Sequence, residues 1–279
     1  MPAVVGGSFL VFLLLESVLP LRRAVEGKLR RIGRNASVAG LGLATVTILQ
    51  TLILVPVSAW SVRSRVGLLS IVALPDWARF VAGILLLDYT LWFWHWLNHK
   101  VPFLWRFHLV HHVDRDLDAS TGIRFHFGEL GLSVLFRAAQ IAAIGAEPLA
   151  VSVYQIALFA SVLFHHSNTR LAVGLERWLV RIVVTPRMHG IHHSDYRNET
   201  NSNWSSLFSV WDYLHGTARL DVPQSGIVIG VPAYSDPNRV TLGKVLALPF
   251  RRQRDDWRRP AGLPPDRPRP GRHPTRLAP

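Results

Sequence analysis

The chain has 279 residues, room for one or two soluble domains or one compact membrane domain, and 49% of them are apolar and gathered in long blocks, which favours the membrane. It contains no cysteine, which excludes disulfides, thiolate-bound zinc and protein-ligated iron–sulfur clusters and leaves nitrogen and oxygen as metal ligands. The net charge of +13 is localised: residues 251–279 carry nine arginines against three aspartates, with seven prolines. That is the composition of a disordered tail drawn to anionic lipid headgroups, not of a nucleic-acid-binding surface with stacking aromatics.

In chain order, residues 4–19 are apolar apart from Glu16 and form a short first span, since a bilayer core takes about 20 apolar residues as helix. No basic segment precedes them and no small-residue cleavage site follows, so they do not read as a cleaved signal. Residues 21–34 carry six basic side chains against Glu26 and are expected as a cytoplasmic loop. Residues 35–62 are uncharged and supply a second span with Pro56 near its far end, while 66–74 are too short to cross and are expected at the interface.

Residues 80–98 make a third span. Residues 130–144 and 149–163 form a helical hairpin turning at Glu147-Pro148, with proline opening the second helix and Arg137 snorkelling from the first. A short helix near 175–184, a helical piece over 205–214 and a turn-rich stretch through Pro223, Gly226, Gly230 and Pro232 follow. With the basic loop inside, span two exits, span three returns, and the hairpin goes out and back. Every histidine cluster then arrives at the cytoplasmic face, as one metal site requires.

Those clusters are His95-x3-His99, His108-x2-His111-His112 and His189-x2-His192-His193. Residues three and four apart share a helix face, so each cluster is expected to point its imidazoles one way. Asp88 lies within about 40° of His95 and His99 on that wheel. It reads either as an acceptor orienting a ligating imidazole or as a polar group packing against a neighbouring span. Neutral imidazole suits iron, zinc, copper and nickel. One zinc takes three or four ligands, so eight clustered histidines suit a metal pair. No glutamate follows His95 in His95-Trp96-Leu97-Asn98-His99, so the zinc-protease signature fails. A bis-histidine haem needs single histidines on facing helices, and a metal transporter, the other non-enzyme reading, needs polar groups lining a path across the bilayer.

Several blocks together resemble the sterol desaturase/fatty acid hydroxylase family of integral-membrane oxygenases. They are residues 88–99, Val101 to His108 with His111-His112, Arg124-Phe125-His126, His166-Ser167-Asn168, Thr185-Pro186-Arg187-Met188-His189 with His192-His193, and then Glu199, Ser202-Asn203, Trp211-Asp212 and Gly216-Thr217. The likeness is close over residues 82–217 and loose over the two leading spans. It implies a non-haem diiron centre that activates O2 against an unactivated C–H bond of a lipid, giving an alcohol or an alkene. The ligands it implies are His95, His99, His108, His111, His112, His189, His192 and His193, with His166 as a ninth. His126, Asp88, Glu129 and Asn168 are expected at the metals or just behind them. His165 stands where glutamine is expected and is left out; His215 and His273 carry no role. Phe127 departs from the proline usual after Arg-Phe-His.

The expected fold is all-α, a multi-pass membrane helical bundle of four or five spans with a cytoplasmic histidine-rich helical cap. Its parts are N-terminal spans with an interfacial segment (1–78), a fatty acid hydroxylase-like catalytic domain (79–222), a cap segment (223–250) and the basic tail (251–279). Breaking an alkyl C–H bond takes an oxidant that no side chain can be, so a redox metal must carry it and the protein must position the chain, in agreement with the iron and O2 that the resemblance implies. Asp88, Asp114, Asp116, Asp118, Glu129, Asp195 and Glu199 are the carboxylates placed to tune the centre. Without cysteine or a nucleotide-binding glycine fingerprint, electrons must come from a separate reductase or carrier. Trp92, Phe93, Trp94, Trp96, Phe103, Trp105 and Phe107 are expected as an interfacial aromatic belt. Activity is expected to fall below about pH 6.5 as protons compete with metal for imidazole.

Overall fold

A computed structural model describes residues 2–258 and 277, with side chains from Gly6 onward. Among the described residues the chain is helical, with isolated bridges and no strands. Helix α1 (Pro2–Val18) is followed by a rod made of α2 (Lys28–Leu49), a π turn (Gln50–Leu54), α3 (Val55–Arg63) and α4 (Leu68–Ile71). The π turn has a local cause. Pro56 cannot donate a backbone hydrogen bond and would crowd the carbonyl four residues back, and the wider turn relieves this by having the Val55 amide donate to the Gln50 carbonyl. Helix α5 (Asp76–Lys100) returns, α6 (Pro102–His112) breaks off it at proline, and α7 (Phe127–Ile144) and α8 (Pro148–His166) form the expected hairpin.

The rod, α5, α7 and α8 are the four helices long and apolar enough to cross a membrane, and the chain is an all-α multi-pass bundle. Their outer faces carry apolar side chains that a water-soluble bundle would bury: Leu43 and Leu52 are each 67% exposed, and Leu41, Ile48 and Leu135 are also uncovered. Inward faces pack as Leu87 with Ile144, Tyr154 and Leu158, and as Leu54 with Val134, Ala138 and Ile141. At one end of the bundle Gly67 and Gly145 meet backbone to backbone, both at positive φ, where a Cβ on Gly67 would collide with the Gly145 amide.

The other end gathers the termini that carry histidine. The Leu21 amide donates to the Asn168 carbonyl and the Arg170 amide to the Leu19 carbonyl, tying the end of α1 to the end of α8. The basic stretch expected as a solvated loop is helical from Lys28 on. Its Arg31 is buried against Asp114, Asp116 and Asp118, and Arg34 bridges Glu26 and Asp114. Burial would raise the Asp114 carboxyl, but Arg31, Arg124 and Arg34 outweigh it and hold it at about 2. Two charges of the segment are therefore internal ties between α2 and the loop after α6.

The remaining helices are short: α9 (Val173–Leu179), α10 (Pro186–His192), α11 (Arg197–Thr200), α12 (Val210–Leu214) and α13 (Leu242–Ala247). The expected helix over 205–214 forms only from Val210, because the Trp204 and Ser205 amides both donate to the Asp212 carboxylate and hold that approach irregular. Residues 251–258, at the head of the stretch expected to be disordered, lie against α6, with Trp105 Nε1 donating to Asp256 Oδ2 at 2.7 Å. Residues 259–276 and 278–279, including His273, lie outside the described residues.

Candidate metal centre

Nine imidazoles converge in two adjacent groups at the end of the bundle where α5 and α8 finish. One group holds His95, His99, His108, His112 and His192; the other holds His111, His166, His189 and His193. The clusters therefore do not each point one way. His108 and His112 are four apart on α6 and serve one group, while His111 between them serves the other. On α10 the pattern is reciprocal: His189 and His193 serve the second group and His192 crosses to the first. The reason is helical geometry, since i,i+4 partners lie about 40° apart and adjacent residues about 100°. Each His-His pair thus straddles the two groups, and His112 stacks on His193 at 4.4 Å between ring centroids.

The nitrogens face inward. His95 Nδ1 donates to the Trp204 carbonyl at 2.7 Å, His192 Nδ1 to the Ser202 carbonyl at 2.8 Å, and His166 Nδ1 to the Val162 carbonyl at 2.8 Å. His108 Nδ1 donates to Glu129 Oε1 at 2.7 Å. A donating Nδ1 leaves Nε2 with its lone pair free, the tautomer a metal needs. His108 Nε2 then lies 3.2 Å from both His95 Nε2 and His112 Nε2. His166 Nε2 lies 3.0 Å from His111 Nε2 and from His189 Nε2. Metal–nitrogen bonds of about 2.1 Å place neighbouring ligand nitrogens about 3.0 to 3.4 Å apart, so these spacings fit a shared ion in each group. The Nε2 atoms of His99 and His192 are buried without a hydrogen-bond partner, a costly state for ring nitrogens that a metal would relieve.

Burial also keeps the rings unprotonated, which leaves their lone pairs available to a metal. It drives the imidazoles of His111, His112, His189 and His193 well below their usual value and His192 to about 3, with neighbouring imidazoles adding to the effect.

The remaining expected residues divide. Glu129 meets His108 as above. Asp88 meets the span-packing description instead of the imidazole one: it accepts from Tyr154 Oη, the Phe208 amide and Trp211 Nε1, far up α5 from the histidines. Its place on the histidine face of the wheel is real, but seven residues of rise carry it about 10 Å along the axis. His126 caps α7, accepting from the Gly128 amide at Nδ1 and donating from Nε2 to the Leu246 carbonyl, and lies outside both groups. Asn168 brackets the Arg22 backbone, accepting its amide and donating to its carbonyl. His165, left out above, is buried with its ring 4.1 Å from that of His189 and belongs to neither group. His215 is exposed and stacks on Trp92. Trp92 and Trp105 are more than a belt: Trp92 is buried and donates to Asp212, and Trp105 stands 5.0 Å from the His99 ring.

Sequence alone does not reveal the role of residues 202–204, whose carbonyls fix His192 and His95. Asn203 holds that segment at φ 55, its side chain donating to the Met188 and Arg219 carbonyls, while Asp212 takes the Trp204 and Ser205 amides. Asparagine tolerates this left-handed backbone better than most residues, and that is the one signal the sequence offered. A cleft of about 620 Å³ opens onto His99, walled by Lys100, Trp105, Arg197, Asn201 and Trp257.

Comparison with known proteins places this geometry. The fatty acid hydroxylase family model matches residues 80–217, which contain all nine grouped histidines. An ornithine lipid hydroxylase of Rhizobium tropici is 33% identical over 179 residues, 63% of this chain and 51% of that protein. The cholesterol 25-hydroxylase of Mus musculus is 29% identical over 139 residues, 49% of this chain and 45% of that protein. The human alkylglycerol monooxygenase is 26% identical over 134 residues, 47% of this chain and 28% of that protein. The chain thus spans about half the length of the first two and less of the third. No solved structure matches.

Proposed function

Because the chain belongs to the sterol desaturase/fatty acid hydroxylase family, we propose that it is a membrane oxidoreductase that uses O2 to hydroxylate or desaturate a lipid C–H bond. The observation that carries this reading is the pair of adjacent imidazole groups, each able to hold one iron. His95, His99, His108, His112 and His192 would hold the first, and His111, His166, His189 and His193 the second. Irons held there would supply, with O2, the oxidising power that breaking an alkyl C–H bond demands.

The chain's own residues do the rest. The Trp204, Ser202 and Val162 carbonyls and Glu129 fix four imidazoles as Nδ1–H tautomers, so the ring nitrogens are oriented before metal arrives. The Glu129 carboxylate, by accepting from His108, adds electron density to that ligand and offsets the charge of ligated metal. Burial of the second group and of His108, His112 and His192 limits the access of bulk water, and the first group opens toward the cleft at His99. The substrate arrives from the lipid, since the groups lie where the spans end. Electrons come from a separate reductase or carrier, and the cationic rim of the His99 cleft, Lys100 and Arg197, suits an acidic one. The active-site end faces the cytoplasm, in keeping with the surplus of basic residues over 22–34, from the turn after α1 into the first turns of α2.

The test is lipid profiling of cells with and without the chain. A lipid gaining one oxygen or losing two hydrogens is expected, and its disappearance is expected in His99→Ala and in His189→Ala, one from each group. A modified lipid that persists in either variant would overturn the reading. Metal movement across the membrane with no change in any lipid would point to a transporter.

A further inference from the structure

A cavity of about 870 Å³ lies apart from the ligand atoms of the histidine groups, within the size range of small-ligand sites. It lies between the end of α1 and the start of α2. Its floor is built from Asp116, Asn168 and Asp195, which follow His112, His166 and His193 within four residues, so it backs onto the helix ends that carry the metals. Besides Arg31, four arginines line it: Arg22, Arg23, Arg115 and Arg170. Among the described ion pairs none of the four has a carboxylate partner, whereas Lys28 and Arg31, also in the wall, are paired.

Glu16, Glu26, Asp116 and Asp118 of the lining are already engaged, Glu26 with Arg34 and Asp118 with Arg31. Glu16 takes the Ala119 and Asn168 amides as well as Lys28, and Asp116 takes the Val25 and Glu26 amides. Arg22 is half-buried, with part of its guanidinium covered. Its Nη1 donates to Gln224 Oε1 and the Pro186 carbonyl, but its Nε and Nη2 are buried with no acceptor. Unsatisfied guanidinium donors inside a cavity are costly unless something anionic enters. The space for this guanidinium is left by Gly190, where any Cβ would collide with it. Gly190 sits between His189 and His192 on α10, so Arg22 touches the backbone of a metal-bearing helix.

Part of the lining is apolar. Val25 and Val228 line the cavity at 65% and 61% exposure. Cations and uncovered apolar side chains in one lining match an amphiphile, not a free solute.

We propose that this cavity receives the anionic headgroup of the lipid substrate, with Arg22 as its anchor and Arg170 and Arg115 as further cationic contacts. The proposal rests on the lipid-oxygenase reading and adds a substrate class to it: a lipid bearing a phosphate or carboxylate, in preference to an uncharged sterol or glyceride. Holding the headgroup at the ends of α8 and α10 fixes how far along the hydrocarbon the reacting carbon lies.

Binding tests this without turnover. The purified full chain in maltoside micelles is given phosphatidic acid, diacylglycerol of the same acyl chains, or inorganic phosphate, and bound lipid is read by native mass spectrometry. Phosphatidic acid is expected to be retained at least about tenfold over diacylglycerol, and Arg22→Gln and Arg170→Gln each to cut that preference severalfold. Arg63→Gln, at the far end of the bundle, should leave it unchanged. Arg170 is exposed and makes no side-chain bond among those described, so its variant tests the site even if Arg22→Gln misfolds. Equal retention of the two lipids, preference surviving in Arg170→Gln, or an equal loss in Arg63→Gln would overturn the proposal. Displacement by equimolar inorganic phosphate would overturn it in favour of a free-phosphate site. A chain that binds phosphatidic acid selectively yet never oxidises lipid would sink the oxygenase reading and leave this site standing.

Discussion

Glu129 is the side chain through which the protein most directly adjusts its centre, because its carboxylate fixes the tautomer of His108 at the heart of the first group. Glu129→Gln should lower metal affinity about 10- to 100-fold with the helical content unchanged, as losses behind a ligand do. Equal affinity in the two proteins, by metal titration, would remove Glu129 from the account. The imidazoles set a pH window that differs from the one expected for exposed histidine. An unfolded chain protonates them near about 6.5, whereas burial holds His192 at about 3 in the fold. A depressed folded value means the stabilising contribution is intact above the unfolded value and is lost as pH falls toward the folded one. Metal-free protein should therefore melt at progressively lower temperature from about pH 6.5 downward. In loaded protein, metal loss should coincide with loss of helicity and not precede it. Release of metal near pH 6 from a protein whose circular dichroism is unchanged would contradict this.

At the scale of elements, α6 and α10 are the informative pair, since each sends an i,i+4 couple to one group and its remaining histidine to the other. His111→Ala and His112→Ala are neighbours in sequence but should deplete different metals, each leaving about one ion per chain by metal analysis. Both variants binding two, or both binding none while still helical, would break the two-group description. The sequence carried the spacing that makes such a division possible, and the resemblance carried the ligand set. What it lacked was the direction of each ring. That depends on acceptors far along the chain, such as the Trp204 carbonyl for His95, 109 residues away. Asp88 shows the same limit from the other side: a helical wheel reports angle but not rise, and the rise puts its carboxylate with Tyr154 and Trp211. Arg31 was read as topology and proved to be a buried tie to Asp114, Asp116 and Asp118, because charge counting cannot see which charges meet across a fold. The spans were legible because apolar length is a local property, and Pro56 and Pro148 fell where backbone chemistry requires.

For the whole molecule, the account places the histidine-bearing end of the bundle in the cytoplasm. The absence of cysteine makes this simple to check, since a single introduced cysteine is the sole thiol. Arg23→Cys lies at the histidine end and Ser64→Cys at the opposite end, both exposed. On intact cells a membrane-impermeant thiol reagent should label Ser64→Cys and spare Arg23→Cys until the membrane is opened; the reverse pattern would invert the topology. The architecture as a whole, four spans and short cap helices, serves to bring the ends of α5, α6, α8 and α10 together at one membrane surface. Its central claim concerns what those ends hold. Iron measured against protein in the purified, iron-reconstituted chain tests this most directly. About two irons per chain are predicted, one for each imidazole group. A helical, monodisperse protein that retains neither iron nor any other transition metal would contradict it.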